Sequence, residues 1–211
     1  MHYAVIQNGA SQSFPDGDPF LAAADDAAKA DIIVHLGTPL AAATESRAVL
    51  IELGTECLGV HTGESMGDEG SNVLGFARYR NGDDPPSSLI ELVRQPNTAE
   101  SAIKAARTLF ETAGFTVALC TDQAGRIIDR LVRPKYNAAL RLLDEGLATA
   151  ADMDLTCRLG LGYRDGPIER IVRGGLAHHY NVTTALFETY GTPGFAPARR
   201  AVVAATRRTV R

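Results

Sequence analysis

Short apolar runs, separated by turns rich in glycine and proline, dominate the first half of the chain. Runs of this length are typical of buried strands in a parallel sheet. The segments that predict strands are residues 4–6, 30–36, 57–63, 71–79, 88–95 and 115–120. Between them, helical spacing predicts helices over 21–30, over 41–54 with Gly54 as the C-cap, and over 99–113 with Thr98 as the N-cap. Alternating strands and helices indicate a parallel or mixed sheet with helices packed on it.

From Asp122 onward the pattern changes to helices alone. Apolar residues recur at helical spacing through residues 124–146, where Pro134 predicts a kink or the start of a new helix. Further helices are predicted to begin near Thr149 and at Pro167, and an amphipathic helix is predicted for the tail. The sequence therefore predicts an α/β domain over residues 1–121 and an all-helical domain over residues 122–211.

Composition and charge narrow the class of protein. No apolar run is long enough to span a bilayer, and no export signal is visible. The three cysteines are widely spaced and do not have the spacing of a metal site. We therefore expect a cytoplasmic protein with reduced thiols. The net charge of −4 is uneven, with an acidic first domain and a basic second one. No nucleic-acid-binding motif accompanies the basic half, so we expect that half to complement the acidic half or a protein partner.

The first apolar run leads into a loop around Gly9, as the first strand of a dinucleotide-binding fold does. The fingerprint of that fold, G-x-G-x-x-G, uses three glycines for the turn, the pyrophosphate and helix packing. With Gly9 at the second position, Gln7 and Gln12 replace the other two glycines. Gly9 is thus the only candidate cofactor-binding residue in this loop.

The second half carries a specific resemblance. Its stretch "DEGLATAADMDLTCRLGLGYRDGPIE", residues 144–169, is similar to the C-terminal domain of the 3-hydroxyacyl-CoA dehydrogenases. The shared positions are Glu145, Gly146, Ala148, Asp152, Met153, Asp154, Gly160, Tyr163, Gly166, Pro167 and Glu169. The resemblance implies a truncated Rossmann-like sheet domain followed by a helical domain, and it is closest to the eroded second copy found in double-length members.

The family oxidises a 3-hydroxyacyl-CoA with NAD, using a His–Glu pair assisted by a Ser and an Asn. The resemblance carries the Glu onto Glu91, the Asn position onto Asp129 and, loosely, the Ser onto Ser65. The place of the His is held by Ala77, or by Arg78 if an insertion falls earlier. Since arginine cannot act as a base, a pair of carboxylates, Glu91 and Asp129, is one possible substitute.

Ligand contacts follow from the same resemblance. Arg78 is a candidate for binding substrate phosphates, and Tyr163 lies where the family has substrate and subunit contacts. Only about twenty residues separate Gly9 from Ile32, where the family has a longer segment with two further strands. That segment would supply the pyrophosphate-binding helix and the ribose anchor, so we expect no NAD unless the enzyme hypothesis holds. No metal site is predicted, because His178 and His179 are adjacent and diverge around a helix.

Two hypotheses on function therefore remain open. The chain is either a non-catalytic homologue that binds acyl-CoA or completes a partner dehydrogenase, or an active NAD-dependent 3-hydroxyacyl-CoA dehydrogenase with an atypical site. In both cases the helical domain is expected to form a homodimer or to join a partner dehydrogenase, with no nucleic acid and no membrane involved.

Overall fold

A single six-stranded sheet forms the first part of the chain. The computed structural model describes residues 2–7, 9–37, 46–63 and 72–209. The strands are β1 (Tyr3–Gln7), β2 (Ile32–Leu36), β3 (Ala48–Glu52), β4 (Val73–Arg78), β5 (Leu89–Arg94) and β6 (Thr116–Thr121). They lie side by side in their order along the chain. Strands β1 to β4 are parallel, β5 is antiparallel to β4, and β6 is parallel to β5.

Side chains alternate between the two faces of the sheet, and each face has its own apolar cluster. One cluster joins Leu50, Leu74, Phe76, Ile90 and Leu92 to the long helix α3 (Glu100–Thr112) and to a group of stacked phenylalanines. The second cluster, on the opposite face, contains Val49, Ile51, Leu53, Leu58, Val73 and Val93. A sheet covered in this way buries its central strands on both sides, which explains their continuous apolar runs.

Two predicted elements in this part of the chain are wrong. The helix predicted over 41–54 is contradicted by β3, whose buried run "AVLIE" is an inner strand of the sheet; residues 41–45 lie outside the described residues. The strand predicted over 57–63 is instead a short helix, α2 (Gly59–Thr62). Its amide groups at Leu58 and Gly59 donate to the Asp122 carboxylate, a partner distant in sequence.

Smaller differences concern helix ends. The helix predicted over 21–30 is replaced by α1 (Pro19–Ala22) and a 3₁₀ turn over 27–29. At the start of α3 the N-cap is Ala99, while Thr98 accepts a hydrogen bond from the backbone of Gln95. The predicted strands β4, β5 and β6 are confirmed.

In the second part of the chain the described residues form five α-helices. They are α4 (Ile128–Asp144), α5 (Ala150–Leu161), α6 (Pro167–Gly174), α7 (Leu176–Tyr190) and α8 (Arg199–Thr209). Pro134 lies inside α4, which continues through it. The chain divides into two compact units, residues 1–80 with 86–126, and residues 81–85 with 127–211. The predicted fold class, a truncated Rossmann-like sheet domain followed by a helical domain, is confirmed. Across the described ranges no helix is long and apolar enough to cross a membrane.

The turn between α5 and α6 depends on one buried carboxylate. Asp154 on α5 accepts hydrogen bonds from the backbone amides of Ile168 and Glu169, at 2.8 and 2.9 Å, and so caps the start of α6. Pro167 occupies the first turn, where a missing N–H has no cost. A Cβ at Gly166 would fall inside the Asp154 carboxyl group. These residues of the family motif therefore hold two helices together.

A buried polar network fixes the centre of the helical unit. Asn137 donates to Thr183 Oγ1 and to the Gly194 carbonyl, and its own carbonyl accepts from the His179 ring and from the amide of Ala198. Burial lowers the pKa of His179 to about 3, with the nearby Arg133 guanidinium as a further cause. His179 is therefore a neutral structural residue, which donates through Nε2 to Asn137.

Gly166→Ala is expected to destabilise the protein by roughly 1–3 kcal/mol, because the new methyl group displaces the capping carboxylate of Asp154. The backbone at Gly166, with φ of −69°, suits any residue, so the effect is steric. Gly160→Ala, where a Cβ meets nothing within 4 Å, is the matched control and should be neutral or stabilising. Urea unfolding of the three proteins gives the comparison, and equal stability of the two variants would contradict this role of Gly166.

Candidate functional site

Glu91 lies in the middle of β5 on the sheet face of the second apolar cluster, and only 3% of the residue is exposed. In the antiparallel register of β4 and β5 it pairs directly with Ala77. Residues paired in this way have neighbouring Cβ atoms on the same face. Of the two positions that the sequence left open for the missing base, Ala77 is the one that faces Glu91.

A guanidinium group occupies the space beside this carboxylate. Arg126 Nε lies 3.6 Å from Glu91 Oε2, and both side chains are 4% exposed. The same guanidinium donates to the carbonyl of Gly54 at 2.5 Å and to that of Glu56 at 3.5 Å. Arg126 has φ of +47° and is the only non-glycine residue with positive φ within the described ranges. Its strained backbone and buried charge are retained because the ion pair neutralises Glu91.

Asp129, the other candidate catalytic carboxylate, has an arginine of its own. It lies in the first turn of α4 and accepts a hydrogen bond from Arg133 Nε at 2.8 Å. Glu91 belongs to the first compact unit and Asp129 to the second. Each carboxylate is thus paired with a cation inside its own unit.

Arg78 projects from the sheet face opposite to Glu91. Its guanidinium donates to Asp18 at 2.7 Å, to the carbonyl of Ser13 at 3.2 Å and to that of Ser87 at 2.5 Å. It also lies 4.7 Å from the centre of the Phe115 ring. These contacts anchor the loop after β1 to the sheet.

The remaining predicted site residues are scattered. Tyr163 follows the end of α5, is 37% exposed, and stacks with the Lys135 ammonium group 4.1 Å from its ring centre. Gly9 begins the loop after β1 with φ of +132°, which only glycine adopts easily. Ser65 lies outside the described residues.

A cavity of about 340 Å³ opens at the carboxyl ends of β1, β2 and β3. It is lined by Ala10, Gln12, Gly37, Glu52, Leu53, Gly54, Glu56 and His61. Ligands of open α/β sheets bind at this edge. Its charged lining is acidic. Sequence reasoning missed Glu52 because a helix was predicted over residues 41–54, and it missed Glu56 because that residue falls between this helix and the strand predicted over 57–63. A strand there would have placed an acidic residue at the sheet edge.

Backbone amides hold one of these acids in place. Glu56 Oε1 accepts from the amide of Gly54 at 3.0 Å and lies 3.3 Å from His61 Nε2. Burial acts to raise the pKa of Glu56, but the backbone amides and the His61 ring outweigh it, so the pKa is lowered overall. Glu56 is therefore a carboxylate at neutral pH.

The second acid, Glu52, ends β3 and closes the loop after β1. Its Oε1 atom accepts from the Ser11 hydroxyl at 2.8 Å and from the Ser13 amide at 2.7 Å. In a dinucleotide-binding fold, donors in this loop face the pyrophosphate. Here they face a carboxylate of the same chain.

The fold is a six-stranded sheet of Rossmann-like type followed by a helical unit, and known proteins resemble both parts. Residues 125–209 match the family model of the 3-hydroxyacyl-CoA dehydrogenase C-terminal domain. A probable 3-hydroxyacyl-CoA dehydrogenase of Caenorhabditis elegans is 36% identical over 85 residues, which are 40% of this chain and 28% of that protein. Residues 125–209 are therefore similar to the C-terminal domain of the 3-hydroxyacyl-CoA dehydrogenases, as the helical motif predicted.

Longer matches include the sheet domain. A 3-hydroxybutyryl-CoA dehydrogenase of Mycobacterium tuberculosis is 27% identical over 174 residues, or 82% of this chain and 59% of that protein. The crystal structure of an (S)-3-hydroxybutyryl-CoA dehydrogenase from Ralstonia eutropha superimposes with a TM-score of 0.72 at 21% identity, over 86% of this chain and 69% of that one. The chain thus spans only 28% to 59% of the length of these sequence relatives.

The residues described here do not fit the dinucleotide that the family resemblance implies. Strand order never reverses in this sheet, so the described strands form no switch point, where such folds bind dinucleotides. The first helix after β1 has four residues, and the loop donors are occupied by Glu52. Carboxylates in the cavity would repel a pyrophosphate.

Arg126→Met is expected to destabilise the protein by about 3 kcal/mol or more, because it leaves the Glu91 carboxylate buried without its cation. Combining it with Glu91→Gln should recover part of this loss, which a double-mutant cycle of urea unfolding measures. The control is Arg107→Met, which breaks an exposed pair of the same 3.6 Å length and should change stability by about 0.5 kcal/mol or less. Equal effects of the two arginine variants would show that the pair with Glu91 does not stabilise the fold.

Proposed function

We propose that this chain is a non-catalytic member of its family, which acts by assembling with another helical domain of the same kind. The observation that carries the first part is the pairing of Glu91 with Arg126, opposite Ala77. A dehydrogenase of this family needs a base that its Glu orients, as the resemblance implies. Here the carboxylate pairs with an arginine, whose guanidinium stays protonated and cannot act as a base.

The alternative, an active NAD-dependent enzyme with an atypical site, requires a base and a cofactor cradle. Neither Ala77 nor Arg78 supplies the base, and Arg78 is engaged with Asp18 on the other face of the sheet. The acidic cavity beside β1 also argues against the pyrophosphate of NAD.

Support for assembly comes from α5. This helix exposes Leu155, Leu159 and Leu161 to 48%, 79% and 63%, while Asp154 is its one buried residue. Leu155 and Leu159 are four residues apart and lie on one face of the helix. Contiguous exposed leucines mark a surface that another protein covers. A second copy of the chain is the occupant we propose first, and a complete dehydrogenase of the family is the other.

Acyl-CoA binding is the remaining form of the non-catalytic hypothesis. It would need free cations for the phosphates of CoA, and Arg78, the arginine that the sequence suggested for this purpose, is half of an internal ion pair. Assembly is therefore the better supported form.

The first test is a titration of the purified protein with NADH, followed by fluorescence, with and without acetoacetyl-CoA. We expect no saturable binding up to millimolar concentrations, because the loop after β1 and the cavity offer no site for a pyrophosphate. A complete 3-hydroxybutyryl-CoA dehydrogenase is the positive control. Micromolar binding, or turnover by this chain alone, would favour the active-enzyme hypothesis instead.

The second test concerns the exposed face of α5. Light scattering after gel filtration should give twice the chain mass of 22.4 kDa for the wild type, and the single mass for Leu155→Glu/Leu159→Glu. Val60→Glu is the control, since Val60 is 68% exposed on the sheet unit and its charge should leave the mass unchanged. A wild type that is monomeric, both alone and with a complete dehydrogenase, would refute assembly through this face.

A further inference from the structure

We propose that the loop after β1 is an anion-binding loop which the chain fills with its own Glu52 carboxylate. The site is defined by residues 11–14 and by the end of β3, and its ligand class is a small oxyanion, a carboxylate or a phosphate. This proposal deepens the proposed function, because it explains how dinucleotide binding is prevented. Its test uses inorganic anions and formate only, so it can fail while the proposed function stands.

The donors of this loop converge on one oxygen atom. The Ser11 hydroxyl and the Ser13 amide lie 2.8 and 2.7 Å from Glu52 Oε1. Ser11 Oγ also accepts a hydrogen bond from the amide of Phe14 at 2.9 Å, so its own proton is directed to Glu52. Two donors on one carboxylate oxygen form the contact that a bound oxyanion makes.

The donors of this loop are buried, so they need an acceptor within the protein as their hydrogen-bond partner. Ser11 and Ser13 are 6% and 2% exposed, and Phe14 is fully buried. Without Glu52 the Ser13 amide would be a buried donor with no partner, which costs about 1–3 kcal/mol. The loop cannot simply open, because Arg78 binds the carbonyl of Ser13 and its backbone amide donates to Ser13 Oγ.

The position of Glu52 explains why a carboxylate fills the loop. It is the last residue of β3 and lines the cavity at the carboxyl edge of the sheet, together with Gln12. Its side chain therefore enters the loop from the side on which a ligand of the cavity would lie. Because the Glu52 carboxylate is covalently part of the chain, its effective concentration at the loop is very high. A free phosphate in this cavity would have to displace it.

Removal of the carboxylate should convert this internal contact into a site for a free anion. Glu52→Ala is expected to lower the melting temperature when chloride is the only anion. Adding formate or inorganic phosphate at constant ionic strength should raise its melting temperature saturably, by roughly 3 °C or more, and the wild type should respond far less. Ser11→Ala/Glu52→Ala lacks one donor and should show a weaker anion response.

Two outcomes would overturn the proposal. The first is that Glu52→Ala is as stable as the wild type in chloride. The second is that formate raises the melting temperature of Glu52→Ala by no more than that of the wild type. If Glu52→Ala does not fold in chloride, folding in formate supports the proposal and failure in both refutes it. Glu52→Gln keeps the shape of the side chain but removes its charge. It should therefore be less stable than the wild type and insensitive to formate. A stability equal to that of the wild type would exclude an anion site.

Discussion

The order of the strands is the constraint on which the sheet domain depends. Each strand pairs with the next one along the chain, so the sheet grows from β1 in a single direction. A doubly wound fold grows in two directions from its first strand, and the cofactor crevice lies where they separate. Between β1 and β2 the described residues form only a four-residue helix and one 3₁₀ turn, so the described sheet extends in one direction from β1. Its first loop is left without the neighbouring elements that would shape a cofactor site.

Two internal charged contacts lie within the sheet unit. Arg126 lies against Glu91, and Glu52 lies against the loop after β1. A buried charge is tolerated only when it is paired, so each of these contacts stabilises a site that would otherwise contain an uncompensated charge or donor.

The sequence predicted the fold class, the helical unit and strands β4 to β6, because their apolar runs and caps are local signals. It failed over residues 46–63, where the run "AVLIE" fits a strand or a helix equally well and only its neighbours β2 and β4 decide. The same failure hid Glu52 and Glu56 from the candidate site. Arg126 was missed for a different reason, since an arginine after a glycine gives no indication of a buried partner thirty-five residues earlier.

The resemblance to the family and the proposed lack of activity depend on different residues of this chain. The motif that identifies the family includes Asp154, Gly166 and Pro167, and these residues cap and pack α5 and α6. Similarity in that motif therefore reports the helical architecture and carries no information about hydride transfer. The pairing of Glu91 with Ala77 and with Arg126 lies outside that motif. A fold can therefore be inherited through the motif while residues elsewhere in the chain change.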